Sequence, residues 1–196
     1  MSLGLRTYRG AEVAEVIDAR AQLRITVFRD WPYLYDGDLD YERRYLAGYT
    51  SGTAIVVAAF DGPEMVGAST GLPFTDHADG LAPAFAQTDY APETLFYCAE
   101  SVLLPKARGQ GVYRPFFAER EAHARALGFS HATFCGVSRP AAHPARPKDH
   151  QPLDPVWRHF GYSPVPGAIG HLSWRDIGAS GETTKSLQFW IKPLCA

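Results

Sequence analysis

The stretch that most constrains the fold of this chain covers residues 94–127, where an apolar segment, a glycine turn and an amphipathic segment follow one another directly. Residues 95–104 are apolar and β-prone and predict a strand, which Pro105 ends because proline cannot donate to a central ladder. After the turn, apolar residues recur at helical spacing as far as Leu127, and Gly128 predicts the end of a helix. The sequence therefore predicts a strand, a turn and a helix in immediate succession.

The turn between this strand and this helix predicts an anion site. The first backbone N–H groups of a helix have no partners within the helix, and the aligned peptide dipoles place partial positive charge there. Gly109 and Gly111 let the chain approach a phosphate closely, and Arg108 adds a permanent cation. The pattern lacks the Gly-Lys-Ser/Thr ending of a Walker loop, and Arg114 replaces the third glycine of the dinucleotide fingerprint, which disfavours nucleoside triphosphates and NAD.

The segment Arg108-Gly109-Gln110-Gly111-Val112-Tyr113 resembles the Arg/Gln-x-x-Gly-x-Gly/Ala acetyl-CoA signature of the GNAT N-acetyltransferases. Tyr113 stands where the family has Gly or Ala, and the preceding Leu103-Leu104-Pro105 is similar to the family's lead-in. The alternative is a strand-turn-helix joint without a ligand. The resemblance implies acetyl-CoA as cofactor and CoA as product. The residues expected to hold the cofactor are Val102, Leu103 and Leu104 along the pantetheine arm, and Arg108, Gly109, Gln110, Gly111, Val112 and Tyr113 around the pyrophosphate.

Length and composition indicate one ordinary globular domain, assigned to residues 4–196, with Met1 to Leu3 set aside as vector-derived. Hydrophobic residues make up 46% of the 196 positions, which excludes a disordered chain, and the net charge of −2 disfavours nucleic-acid binding. Because no apolar run has the length of a membrane span and no secretory signal is present, the expected location is the cytoplasm. The cysteines, Cys98, Cys135 and Cys195, fit neither a disulfide framework nor a zinc site.

The order of predicted elements is β, α, α, β, β, β, α, β, α, β, β. This order predicts an α/β (α+β) fold with a mixed sheet and helices on its faces. The resemblance implies the same: a GNAT-like, mostly antiparallel central sheet of six to seven strands flanked by about four helices. The predicted strands cover residues 5–8, 53–60, 65–72, 95–104, 131–137, 171–177 and 187–191, and the predicted helices begin near residues 11, 39, 112 and 156. Residues 75–90 predict a loop with one short helix, and the proline-rich residues 138–155 predict an irregular loop.

Acetyl transfer from a thioester to an amine requires a group that deprotonates the amine and a group that protonates the leaving thiolate. Glu100 is the only acid within the apolar strand, and many GNAT enzymes resemble this in using a strand glutamate as base. The alternative for Glu100 is a carboxylate fixed by arginine or by backbone donors.

The thiolate acid has no direct counterpart in the sequence. GNAT enzymes often place a tyrosine four residues before a Gly-Phe pair, but here Trp157 precedes Gly161-Tyr162 at that spacing. An indole is too weakly acidic to supply the proton. Tyr97, Tyr113 and Tyr162 remain as substitutes, and Tyr113 joins Glu100 as a predicted catalytic residue, with helix packing as its alternative role.

Two loops are expected to bind the acceptor, which the sequence predicts to be a primary amine of a small, amino-acid-like or polar molecule. The aromatic, acidic segment after the first helix offers aromatic surfaces and a carboxylate for an ammonium, and the proline-rich loop offers cations for a carboxylate. The residues concerned are Trp31, Tyr33, Tyr35, Asp38, Arg139 and His143. Hydrophobic plugs and a solvated basic surface are the alternative. The histidines lack the spacing of a ligand set, so no metal is predicted, and a homodimer is an open expectation.

Two other functions stay open from the sequence. A CoA- or acyl-CoA-binding sensor without turnover would keep the glycine turn but lack a working acid and base. An acyltransferase that uses another acyl donor would keep both.

Overall fold

The computed structural model describes residues 3–77 and 80–194, so Cys195 and residues 78–79 lie outside the described part of the chain. The described residues form one seven-stranded sheet and four α-helices. The strands are β1 Gly4–Arg9, β2 Ile55–Asp61, β3 Glu64–Pro73, β4 Leu95–Leu103, β5 His131–Ser138, β6 Ser163–Arg175 and β7 Glu182–Pro193. The helices are α1 Ile17–Phe28, α2 Leu39–Ala47, α3 Tyr113–Ala126 and α4 Asp154–His159. None of the described helices has the length and apolarity that crossing a membrane requires.

The strands lie in the order β1-β2-β3-β4-β5-β7-β6. All neighbouring pairs are antiparallel except β4 and β5, which are parallel and are connected through α3. A parallel pair needs such a crossover, and the strand, turn and helix predicted from residues 94–127 supply it. The expected mixed, mostly antiparallel sheet with flanking helices is confirmed.

The apolar core lies on both faces of the sheet. Val13, Leu23 and Leu46 belong to the cluster on the face that α1 and α2 cover. Phe116 and Ala124 of α3 belong to the second cluster, on the opposite face. The central strands are therefore buried from both sides, which explains why residues 95–104 are almost continuously apolar.

Local signals set several boundaries where they were predicted. Asp38 caps α2, because its Oδ1 accepts a hydrogen bond from the Tyr41 backbone N–H at 2.8 Å, and the helix ends at Gly48. The first helical segment differs from the prediction: Gly10–Val16 forms a 3₁₀-helix, and α1 begins only at Ile17. The segment expected to contain one short helix contains the 3₁₀ turns Phe74–His77 and Ala82–Phe85.

The closing hairpin is longer than predicted. β6 begins at Ser163 and β7 at Glu182, whereas the prolines and glycines before residue 171 had predicted a later start. β6 lies at the edge of the sheet, where Pro164 and Pro166 need not donate inward, and its register shifts between Pro164 and Ile169. Because the edge position and the register shift depend on tertiary structure, the local sequence does not predict where β6 begins.

Candidate active site

A cleft opens in the sheet where β4 and β5 separate. The register pairs the two strands from Leu95 opposite His131 as far as Tyr97 opposite Thr133, three positions in all. Beyond them, β4 continues along β3 while β5 continues along β7. The space between the diverging strands has a volume of about 770 Å³. The strand arrangement therefore provides an elongated cleft through the middle of the sheet.

The cleft connects the glycine turn with the loops predicted to bind the acceptor. Some predicted site residues line it and others do not. Those that line it are Trp31, Tyr33, Glu100, Leu103, Arg108, Gly109, Tyr113 and Arg139. Those outside its lining are Tyr35, Asp38, Val102, Leu104, Gln110, Gly111, Val112 and His143.

The glycine turn has the geometry of an anion site. Gly109 and Gly111 have φ angles of +74° and +77°, in the left-handed region that favours glycine, and both residues are exposed. In the described part of the chain, the backbone N–H groups of residues 109–112 donate no hydrogen bond. Four consecutive amides at the start of α3 are therefore free to bind an anion.

Arg108 adds charge beside these amides. Its Nε donates to the Leu103 carbonyl at 3.3 Å, and its terminal nitrogens have no hydrogen-bond partner among the described residues. The side chain of Val112, in contrast, is buried in the core on the α3 face. Val112, Gln110 and Gly111 thus contribute to the turn through their backbone.

Alternate backbone groups of β4 face the cleft. The Leu104 N–H donates to the Val66 carbonyl of β3 at 2.8 Å, so the antiparallel alternation also directs the backbone of Val102 toward β3. The backbone groups of Ser101 and Leu103 point the other way, and both residues line the cleft. This geometry favours Ser101 and Leu103 over the predicted Val102 and Leu104 as residues whose backbone could pair with a ligand in the cleft, and no feature of the sequence indicated Ser101.

Glu100 lines the cleft as a paired carboxylate. Arg20 donates from Nη2 to Oε1 of Glu100 at 3.1 Å, and Nη1 of Arg24 donates to Oε2. Both oxygens are thus neutralised by guanidinium groups, and the residue is almost fully buried. A carboxylate held in this way is a poor proton acceptor. The role of general base predicted for Glu100 is therefore corrected in favour of the arginine-fixed alternative.

Glu42 completes this buried cluster by accepting a hydrogen bond from Nε of Arg24. Burial and the neighbouring Arg24 lower the pKa of Arg20 to about 9, which leaves the guanidinium charged at neutral pH. The cluster therefore holds two positive and two negative charges. Arg20 and Arg24 are four residues apart on α1 and therefore lie on the same helix face, which is buried. This spacing is the one feature of the sequence that could have indicated the cluster.

Tyr113 is the one of the three candidate tyrosines that lines the cleft. It lines the cleft at the start of α3, its ring packs near Phe117, and burial raises the pKa of its hydroxyl. The other two candidate tyrosines are engaged elsewhere. The Tyr97 hydroxyl lies 3.3 Å from Sγ of Cys135, and the Tyr162 hydroxyl donates to Glu121 at 3.1 Å.

Trp157 packs against the backbone of β5. A Cβ at Gly136 would lie 2.6 Å from Cη2 of Trp157, so this glycine is needed for the close approach of the indole. Both residues line the cleft, and Trp157 also contacts Phe134 and Trp190 through edge-on ring contacts. The tryptophan at the family's tyrosine position therefore forms a wall of the cleft.

Arg139 is a clamp and does not present a free cation. Its guanidinium donates to both carboxylate oxygens of Asp176, at 2.8 and 2.9 Å, and to the carbonyls of Pro32 and Tyr33. Lys185 adds an ion pair to Asp176 at 3.0 Å. These bonds join three segments at the acceptor end of the cleft. Four of the five guanidinium N–H donors are thus bound within the protein, which favours a structural role for Arg139 over the predicted carboxylate binding.

Three other predicted acceptor residues have structural roles. Asp38 is exposed and caps α2, and Tyr35 forms an isolated β-bridge with Asp176. His143 packs beside Trp31, with ring centroids 5.2 Å apart, and its Nδ1 accepts the Ala145 N–H at 3.2 Å. None of the three residues belongs to the cleft lining, and these contacts favour structural roles over acceptor binding for them.

Sequence reasoning left several cleft residues without a role. They follow α1, lie between β5 and the start of α4, or belong to β7, and their polar members are Asp30, His150, Gln151, Asp154 and Gln188. Spacing along the chain gave no signal for them, since only the fold brings these segments together. Among the described residues, no group of three or more His, Cys, Asp or Glu side chains is arranged to hold a metal ion.

Solved structures with the same fold are acetyltransferases. No protein-family model and no curated protein matches the chain. An N-acetyltransferase from Staphylococcus aureus Mu50 is 12% identical over 100% of both chains, with a TM-score of 0.61. A ribosomal-protein-alanine N-acetyltransferase from Brucella melitensis is 16% identical, with 97% of this chain and 99% of that chain covered and a TM-score of 0.60.

A third similar structure contains a bound cofactor. The GNAT-superfamily phosphinothricin acetyltransferase from Sinorhizobium meliloti, in complex with AcCoA, is 18% identical over 98% of this chain and 89% of that chain, with a TM-score of 0.57. Identities this low compare architecture, and the architecture agrees over nearly the whole chain. The protein therefore has the fold of the GNAT-superfamily acetyltransferases.

Proposed function

We propose that the protein is an acetyl-CoA-dependent N-acetyltransferase that acetylates a primary amine of a small, amino-acid-like or polar molecule. One observation carries this proposal: the cleft between β4 and β5 leads to a turn with four unpartnered amides and Arg108. A long ligand with a pyrophosphate at one end fits that combination of shape and charge. The AcCoA complex of the Sinorhizobium enzyme, which shares the fold, supports the choice of ligand.

The residues present fit this cofactor. The amides of residues 109–112 and the guanidinium of Arg108 would hold the pyrophosphate, and the outward backbone groups of Ser101 and Leu103 would pair with the pantetheine amides as a further strand. When bound, the cofactor supplies a thioester whose carbonyl carbon accepts attack by an amine. Trp157 and Phe134 would exclude water from that part of the cleft.

The protonated state of the two cysteines favours direct attack by the acceptor amine over transfer through an acyl-enzyme. Cys135 lines the cleft, but burial raises the pKa of its thiol to about 11, and burial also raises the pKa of the Cys98 thiol. Both thiols therefore stay protonated at neutral pH and are weak nucleophiles. An acyl-enzyme is disfavoured, and the acceptor is expected to react from the end of the cleft near Trp31 and Tyr33.

Two measurements test this function. Calorimetric titration with CoA and with acetyl-CoA measures whether the cleft binds the cofactor. Thiol release from acetyl-CoA, followed with a panel of the common amino acids and simple primary amines, measures turnover. We expect binding of both nucleotides and amine-dependent thiol release. Absence of CoA binding would contradict the proposal.

A sensor without turnover is the second candidate, favoured by one observation: the predicted base Glu100 is held by two arginines. Such a module would bind CoA or acyl-CoA and release no thiol with any amine. Mass spectrometry of nucleotide that copurifies with the protein would identify the acyl group. A longer acyl chain would favour an acyltransferase that uses another donor.

A further inference from the structure

His150 occupies the acceptor end of the cleft and has no described partner for its ring nitrogens. It lies in the loop between β5 and α4, is half-buried and lines the cleft. Its ring meets Trp31 edge-on, with centroids 5.9 Å apart and an interplanar angle of 76°. Neither ring nitrogen makes a hydrogen bond within the described part of the chain. The imidazole is thus oriented by packing, and both nitrogens are free.

The neutral side chains of the cleft do not provide a proton acceptor. Burial raises the pKa of the Tyr33 and Tyr113 hydroxyls and of the Cys135 thiol, so each stays protonated near neutral pH. These groups can donate a proton, but none holds a lone pair basic enough to take one from an ammonium group. The proton acceptor must therefore be a carboxylate or an imidazole.

The carboxylates are also poor choices. Both oxygens of Glu100 are paired with arginines. Asp30 and Asp154 also line the cleft, but carboxylates serve as general bases less often than histidine does. Histidine is the side chain that most often takes or gives a proton in catalysis. His150 is the remaining cleft residue of that type.

We propose that His150 is the group that takes the proton from the ammonium of the acceptor, an inference that rests on the proposed function. The ammonium R–NH₃⁺ gives one proton to a free ring nitrogen of His150 and becomes R–NH₂. The amine nitrogen then forms a bond to the thioester carbonyl carbon, and the carbon–sulfur bond breaks. The second proton leaves the nitrogen and ends on the departing sulfur, giving amide and thiol. The imidazolium afterwards releases its proton to solvent, which completes the balance.

The charges around His150 permit this cycle. The charged side chains that share the cleft with it are Asp30, Glu100, Arg108, Arg120, Arg139 and Arg146, together with Asp154 at the start of α4. Glu100 and Arg139 are neutralised by their own partners. His143 lies on the same tryptophan as His150. Asp30 and Asp154 bring negative charge to the lining and Arg108, Arg120 and Arg146 bring positive charge, so charges of both signs share the cleft with His150.

The test compares two histidines that pack against the same indole. His150→Gln removes the basic nitrogen and keeps a polar side chain of similar length, and His143→Gln is the matched control, since His143 contacts Trp31 but does not line the cleft. With the fastest amine of the panel, we expect His150→Gln to lower kcat/KM about 10²–10⁴-fold and to remove the acidic limb of the pH–rate profile. His143→Gln should keep the acidic limb of the pH–rate profile. Both variants should bind CoA with the affinity of the unaltered protein.

Chemical rescue separates catalysis from folding. Imidazole added to His150→Ala should restore thiol release in a concentration-dependent way, whereas a purely structural role would give no rescue. The inference would be overturned if the pH–rate profile of His150→Gln were unchanged. It would also be overturned if Glu100→Gln lost the acidic limb of that profile instead. In both cases the proposed function would stand. If the unaltered protein binds CoA but acetylates no amine, the transferase proposal fails and the role of His150 fails with it.

Discussion

Arg20 and Glu100 form a buried ion pair, with Nη2 of the arginine 3.1 Å from Oε1 of the glutamate and side chains only 1% and 2% exposed. Arg24 pairs with the other oxygen of Glu100, and Glu42 pairs with Arg24. This cluster ties α1 and α2 to β4, the strand that forms one wall of the cleft. The negative charge of Glu100 therefore fixes β4, and with it one wall of the cleft, against α1.

Glu100→Gln should destabilise the protein. The substitution leaves Arg20 and Arg24 buried with one carboxylate between them, and breaking a buried pair from one side costs about 3–5 kcal/mol of unfolding free energy. Urea unfolding followed by circular dichroism measures the change. CoA affinity at temperatures where the variant is folded should be nearly unchanged, because the glycine turn is not involved.

The matched control for this prediction is Glu64→Gln. Glu64 pairs with Lys106 at the surface, where about half of each side chain is exposed, and such pairs contribute under about 1 kcal/mol. Equal stability of Glu100→Gln and the unaltered protein, combined with a large fall in turnover, would restore Glu100 as the base.

Gly136→Ala should distort the cleft. The new methyl group would lie 2.6 Å from the indole of Trp157, and overpacking of this kind costs about 1–3 kcal/mol. We expect a lower melting temperature and weaker CoA binding. The double variant Gly136→Ala, Trp157→Leu should recover stability, since the smaller side chain removes the clash. Gly181→Ala, where a methyl group meets nothing within 4 Å, is the control. No difference between Gly136→Ala and this control would contradict the account.

The Arg139–Asp176 clamp should make stability depend on pH. Although partial burial alone would raise the pKa of Asp176, hydrogen bonds from Arg139 and Lys185 hold that pKa below its ordinary value. Because the folded-state pKa is depressed, the stabilisation is complete at neutral pH. It declines once the pH falls below about 4, and is lost below the folded-state pKa.

Asp176→Asn tests this dependence. The melting temperature of the variant should lie below that of the unaltered protein at pH 7, and the two should converge once the pH is below the folded-state pKa of Asp176. The KM for the acceptor should rise at pH 7, since the clamp holds the segment that carries Trp31 and Tyr33. A melting-temperature difference that is the same at both pH values would contradict the assigned charge state of Asp176.

Tyr113→Phe tests whether this hydroxyl protonates the departing thiolate. If it does, kcat should fall by about 10²-fold, while CoA affinity should change little because the ring remains. Tyr162→Phe is the control, since the Tyr162 hydroxyl is bound to Glu121 outside the cleft. That control should lose stability and retain kcat. If both variants had the same kcat, the departing thiolate would take its proton from solvent and not from Tyr113.

The sequence predicted the parts of the fold that depend on local chemistry. The order of strands and helices, the Asp38 cap and the strand-turn-helix unit all follow from propensity, capping and periodicity within short segments. β6 was predicted too short, because an edge strand tolerates Pro164 and Pro166 only by virtue of its place in the sheet.

Local sequence indicates a candidate site where one segment carries it and gives no signal where several segments meet. The glycine turn lies within a few residues of chain. The pairing of Arg20 with Glu100 spans 80 residues, and the pairing of Arg139 with Asp176 spans 37. Composition suggests that an arginine binds a carboxylate, but it does not reveal whether that carboxylate belongs to the substrate or to the protein.

The most direct test of the central claim, that the amides of the glycine turn hold a pyrophosphate, is calorimetric titration of Gly111→Asp and Gly111→Asn with CoA. A Cβ at Gly111 meets nothing within 4 Å, and both variants carry the same strain from the φ angle of +77°, so they differ mainly in charge. We predict that both fold, that the asparagine variant keeps measurable affinity, and that the aspartate variant loses binding. Equal CoA affinity in the two variants, similar to that of the unaltered protein, would contradict the account.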